Sequence, residues 1–133
     1  MTGERDLNIL LRSLAPTLLP GTFVFVTVPS ARYGAYAELE PLVSVQEREG
    51  LSLMLASEDA AALPYPSSSA LRCISLGVHS SLDAVGLTAV VSSALAEAGI
   101  SANVVAGFYH DYIFVPAASA DQALARLGQL TSP

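Results

Sequence analysis

An α+β fold is predicted for this 133-residue chain by three observations. Short runs that alternate with period two, or are dense in β-branched residues, recur along its length. Several segments carry apolar residues at helical spacing. In the second half these elements come in the order strand, helix, strand, strand, helix. Hydrophobic residues make up 52% against 14% charged, and mean hydropathy is +0.50. Such a chain has the apolar area to offset its conformational entropy, which excludes a disordered segment. Its length is that of one ordinary domain or two very small ones.

Leu7, Leu10, Leu11 and Leu14 follow i, i+3, i+4, i+7 spacing behind Asp6, so residues 6–14 read as a capped amphipathic helix that stops before Pro16. Thr22 to Val28 is apolar on both alternations apart from its threonines, the pattern of a strand buried on both sides. Pro29 to Pro41 shows no period and reads as a loop with at most a short helical turn. Val43, Val45 and Glu47, then Leu51, Leu53 and Leu55, alternate around a turn ending at Gly50, which predicts a hairpin. Ser57 can cap a short helix over 58–63. Pro64 to Ser69 has the composition of a linker, so the expected domains are residues 1–64 and 71–133 joined by 65–70.

The second half is more regular. Ile74, Leu76 and Val78 share one face of a strand running from Leu71, and Cys73, Ser75 and Gly77 share the other. Leu87, Val90, Val91, Ala94, Leu95 and Ala98 form a helical stripe, with Asp83 able to cap its start and Gly99 ending it. Residues 101–106 and 111–115 read as hairpin strands around Gly107–His110. Ser119 and Gln122 have capping-box spacing before a last helix with Leu124 and Leu127. This order is the ferredoxin-like βαββα(β) plan, with antiparallel sheets and helices on one face, and the first half reads as a degenerate copy of it.

Twelve acidic residues meet six basic ones, all arginine, for a net charge of −6. An anionic partner is disfavoured, so neither a general nucleic-acid surface nor a membrane surface is expected. A lone cysteine, Cys73, within an apolar run fits a reducing, cytoplasmic setting and forms no internal disulfide. The N-terminus lacks a signal peptide's apolar region, and prolines and glycine interrupt the charge-free stretch from Ser13 to Ala31. His79 and His110 have no partners at metal-ligand spacing, and no cysteine cluster exists for metal or iron–sulfur chemistry. No metal or other cofactor is expected. Cys73, His79 and Asp83 could be written as a nucleophile system, but a mid-strand thiol without an elbow motif argues against an enzyme.

Leu82-Asp-Ala-Val-Gly-Leu-Thr-Ala89 leading into a helix, Glu97-Ala-Gly-Ile-Ser101 leaving it, and Asn103-Val-Val resemble the ACT domain pattern. Asp111-Tyr-Ile-Phe-Val115 and Asp121-Gln-Ala-Leu-Ala-Arg-Leu127 resemble its closing strand and last helix. The likeness covers Leu71 to Leu130 well and Thr22 to Leu63 more weakly, and the whole chain is similar to a bacterial family of stand-alone tandem ACT proteins of largely unassigned function. The resemblance implies two ACT-like halves and a regulatory, non-enzymatic module. It also implies an amino acid or related metabolite bound where domains meet, and a homo-oligomer. Where the family commonly opens the helix with Pro-Gly, this chain has Ala84-Val85-Gly86.

The candidate ligand-binding residues are Asp83, Val85, Gly86, Leu87, Asn103 and Asp111. The loop from His79 to Gly86 ends at a helix N-terminus, where unpaired N–H groups and the helix dipole favour a carboxylate, and a glycine lets a ligand approach the backbone. If Asp83 caps the helix, the ligand shifts to Val85, Gly86 and Leu87. Asn103 and Asp111, from adjacent strands, could hold an α-ammonium group. The alternatives are an ordinary cap for Asp83, packing relief for Gly86, an edge-strand position for Asn103 and a hairpin-turn position for Asp111. Arg32-Tyr-Gly-Ala-Tyr36 could add a planar cation and two phenols to a cleft. The competing function is a structural or protein–protein interaction subunit that binds no ligand. A pocket lined by Gly86, Asn103 and Asp111 would favour the sensor, and filling of that place by leucine or tyrosine would favour the subunit.

Overall fold

The computed structural model describes residues 6–77 and 86–131. In chain order it contains α1 (Leu7–Arg12), β1 (Pro16–Leu18), β2 (Phe23–Pro29), β3 (Val43–Gln46), β4 (Gly50–Ala56) and α2 (Ser57–Ala61). There follow β5 (Leu71–Leu76), α3 (Leu87–Glu97), β6 (Asn103–Ala106), β7 (Asp111–Pro116) and α4 (Ala120–Gln129). Short 3-10 turns lie at Ala37–Leu39 and Ala117–Ser119. Contacts group the chain into two units, Met1–Pro20 with Arg72–Pro133, and Gly21–Leu71.

This grouping differs from a division at residues 65–70, which would leave the N-terminal helix in the first half. In the structure β1 lies antiparallel on β5, Pro16 opposite Leu76 and Leu18 opposite Ile74, and Leu10 and Leu14 are fully buried in the core of the unit that holds residues 72 onward. The segment with linker composition is also tied down. Ser67 bridges Val26, and Ser68 exchanges bonds of 2.9 Å with the Phe25 backbone through its N–H and its hydroxyl. Serine makes this possible because its side chain can accept where the strand ladder lacks a carbonyl.

In the first unit the sheet order is β1-β5-β7-β6. Ile74 and Leu76 of β5 and Ile113 and Val115 of β7 point to one face, where they meet Leu10 and Leu14 with Leu87, Val91 and Leu95 of α3 and Ala123 and Leu127 of α4. The three helices thus cover one face of the antiparallel sheet. Asp6 caps α1 as expected, accepting from Asn8 N at 2.9 Å and Ile9 N at 3.3 Å, although the helix ends at Arg12. Gly99 ends α3 with φ +75, and the Ile100 N–H reaches back to Leu95 O at 2.9 Å. Ser119 makes no side-chain cap bond to α4; the preceding 3-10 turn runs straight into the helix, so the orphan N–H groups of its first turn are not met by a capping box.

The second unit pairs β3, β4 and β2 in that order, with Phe23 also opposite Leu71. Val24, Val26 and Val28 stand opposite Leu55, Leu53 and Leu51 and form its core with Ala60. β2 is not buried on both sides: Phe23 and Phe25 are half-buried and Thr27 is exposed. The valine face is covered by α2 and by Ala31, Ala35, Tyr36 and Leu39 of the β2–β3 connection, and on the other face Met54, opposite Phe25, is also buried. That connection, with its single 3-10 turn, stands where the βαββα plan would have a full helix. Ser57 is the first helical residue of α2 rather than its cap, and its hydroxyl accepts from Thr22 Oγ1 at 2.7 Å.

Candidate functional site

Of the candidate ligand residues, Asp83 and Val85 lie outside the described residues, as does His79. Gly86 occupies the N-cap position of α3 with φ +102, a left-handed conformation that glycine adopts without strain. Leu87 begins the helix and is buried in the core. The approach to Gly86 is narrow: a β-carbon built there would stand 3.3 Å from Leu7 Cδ2 of α1. The first-turn N–H groups of α3 keep their lack of intrahelical acceptors.

Asp111 opens β7, and its alternation with Ile113 and Val115 turns it to the helix-covered face. It is 9% exposed and is the buried charged residue among the described ones. Burial raises its carboxyl above the usual carboxylate value, and the charge of neighbouring His110 opposes that rise.

Asn103 does not join it. It is exposed and stands opposite Phe114, while Asp111 stands opposite Ala106. Three residues along the ladder separate the two positions by about 10 Å, and the odd offset turns them to opposite faces of the sheet. The amide and the carboxylate therefore cannot clasp one ammonium group. The signal is present in the hairpin itself: a four-residue tip at Gly107–His110, closed by Gly107 N to His110 O at 2.8 Å, fixes Ala106 against Asp111, and counting outward then assigns every face.

A concavity lies wholly within the Gly21–Leu71 unit. Tyr33, Gly34, Ala35, Ala37, Glu40, Pro41 and Ser44 line a cleft of about 320 Å³. Three of the four described non-glycine residues with left-handed φ, Ser30, Tyr36 and Glu40, sit in or beside its wall, the fourth being Ala15. Each costs about 1–3 kcal/mol and persists only where surrounding contacts impose it. Gln46 ties the start of this loop to the β3–β4 hairpin: its amide donates to Ala31 O and Gly50 O at 3.1 Å each, and its oxygen accepts from Tyr33 N at 2.6 Å. Tyr36 and Tyr65 hold the other side, their hydroxyls 3.0 Å apart and their rings edge to face. That hydrogen bond, more than burial, raises the Tyr36 pKa. Tyr33 was legible as an aromatic of the connection. Glu40, Pro41 and Ser44 carried no motif, and only the folded loop brings them to it.

Another groove, of about 340 Å³, runs between α3 and α4, lined by Ala89, Val90, Ser93, Ala94, Glu97, Arg126 and Leu130. Arg126 is occupied there, donating to Ala94 O at 3.2 Å and pairing with Glu97 at 2.9 Å. Among the described residues no group of three His, Cys, Asp or Glu is placed to hold a metal ion. No described helix is long and apolar enough to cross a membrane.

Two family models, each describing an ACT domain, match residues 2–72 and 68–128. A Vibrio cholerae protein, described as of unknown function and a possible transport protein, is 47% identical, with a TM-score of 0.85 over 95% of this chain and 96% of that one. An Agrobacterium tumefaciens protein superposes with a TM-score of 0.72 at 18% identity, over 87% of each chain. The regulatory subunit of aspartate kinase from Thermus flavus superposes with a TM-score of 0.62 at 12% identity, over 89% of this chain and 98% of that one. No functionally curated protein matches the sequence.

Proposed function

Because this chain belongs to the ACT domain family, we propose that it is a non-catalytic regulatory protein that binds an amino acid or a related small metabolite. Its similarity in fold to an aspartate kinase regulatory subunit agrees with that role. The observation that carries the reading is Asp111, a carboxylate on the helix-covered face that is only 9% exposed and whose pKa burial raises, since a charge withdrawn from water gains from a cationic partner. Its place in the fold supports this. In an antiparallel sheet the start of β7 falls at the end of its neighbour β5, the end from which the chain proceeds to α3. The ligand's ammonium group meets Asp111 and its carboxylate meets the first-turn N–H groups of α3 from Leu87 onward. Asp83 and Val85 belong to the same proposed loop. Asn103 takes no part, because it faces the other way. Binding that bridges two copies of the chain would couple ligand level to association.

The test is thermal unfolding of the full chain against the twenty amino acids and common metabolites. A ligand at 100 times its dissociation constant stabilises by about 2.7 kcal/mol. A hit that Asp111→Asn abolishes supports the reading, and no hit across the panel overturns it. One observation favours a second reading, a ligand-free interaction subunit: Leu7 packs against Gly86 and narrows the helix end that a carboxylate would use. On that reading Leu7→Ala produces no new ligand response.

A further inference from the structure

We propose that the cleft of the Gly21–Leu71 unit binds small primary-amine cations that carry no carboxylate, alkyl monoamines and diamines being the class. The site, the unit and the ligand class all differ from those of the amino-acid reading above. Glu40 is the charged side chain lining the cleft, and it supplies a formal negative charge with two acceptor oxygens. Ser44 adds a hydroxyl acceptor, and Ala35, Ala37 and Pro41 give apolar wall for an alkyl chain. Tyr33 is 79% exposed although the Gln46 side chain holds its backbone N–H, so its ring stands at the rim, where a cation can lie on its face. No arginine lines the cleft, which leaves a ligand carboxylate without a partner and with Glu40 to repel it.

The wall is also built before any ligand arrives. A loop tied at Ala31 and Tyr33 by Gln46 and at Tyr36 by the hydroxyl of Tyr65 loses less freedom on binding than a loose one, which favours holding a small ligand. About 320 Å³ is at the lower end of the range for small-molecule sites and suits a short alkyl amine.

Calorimetric titration of the full chain at low ionic strength with n-butylamine and with 1,4-diaminobutane tests this, with butyrate and butanol as controls. Both amines are expected to bind and both controls to give no heat. Glu40→Gln should weaken binding about two- to fivefold, the scale of an exposed ion pair. Tyr33→Ala should weaken it about two- to fivefold while Tyr33→Phe binds like the wild type, because the ring face survives. Both side chains are exposed, so these variants keep the fold. Asp111→Asn should leave amine binding unchanged, which separates this site from the amino-acid site. Absence of amine binding, equal binding of butyrate, or wild-type affinity in Glu40→Gln would each overturn the proposal.

Discussion

Replacing Asp111 by asparagine should make the free protein more stable and its ligand affinity lower, two effects of opposite sign from one atom change. Asp111 is 9% exposed, so at neutral pH the fold carries an ionised group with much of its hydration stripped away. Its folded pKa is raised by burial, with His110 opposing. A carboxyl with a raised folded pKa holds its proton to higher pH in the native state than in the unfolded chain. Stability therefore falls as pH climbs from the ordinary carboxylate value through the raised one, and the cost is complete above it. Asparagine keeps the shape and removes the charge, so it should recover about 0.5 kcal/mol, a fraction of the roughly 1–3 kcal/mol of a fully buried unpaired group, because water still reaches the carboxylate. Urea unfolding at pH 4 and pH 8 measures this, with the gain at pH 8 and almost none at pH 4. An ammonium ligand reverses the balance, since the charge then has a partner, and losing that pair costs about 2 kcal/mol or more, roughly 30-fold in affinity. If Asp111→Asn is less stable than the wild type at pH 8, or the two show the same pH dependence, the carboxylate is paired in solution and the argument fails.

Asn103→Ala should leave the affinity for any amino acid that stabilises the chain within twofold, measured by calorimetric titration, because the hairpin register sets it on the face opposite Asp111. Gly86→Ala should destabilise by about 1 kcal/mol or more in urea, since alanine at φ +102 is strained and its β-carbon meets Leu7; adding Leu7→Ala should fail to restore stability, as the strain remains. Arg126→Met should cost about 1 kcal/mol through the lost bond to Ala94 O, whereas Glu97→Gln, at a 70% exposed side chain, should cost less than about 0.5 kcal/mol. Cys73 is fully buried and its thiol is pushed up to about 11, so at pH 8 it should react with a thiol reagent only after denaturant is added, followed by absorbance.

Elements were legible where the pattern was long and each local cue agreed. The stripe from Leu87 to Ala98 with Gly99 behind it became α3, and Asp6 capped α1 as its position promised. Cues that rest on one side chain fared worse. Ser57 and Ser119 both have capping residue types, yet one hydroxyl bonds with Thr22 and the other makes no cap bond, because neighbouring structure offered a different partner or a different backbone path. The candidate site was legible as residue types and not as a constellation. Asp111 and Asn103 read as a pair because their strands are adjacent, and the step of three along the ladder that parts them follows from turn length, not from composition.

Residue order alone was enough for the fold class, because hydrophobic period and turn chemistry act over a few residues and a sheet with helices on one face is the arrangement that buries those particular stripes. It also determined the acidic surface balance and the inert thiol. Only the tertiary structure decided that α1 and β1 belong with residues 72 onward, that β2 has one buried face, that Asp111 lies buried beside Ile113, and that Glu40 closes a cleft with Tyr33. Each of these depends on contacts between segments far apart in sequence, whose energy comes from surface removed from water together and is therefore a property of no single segment.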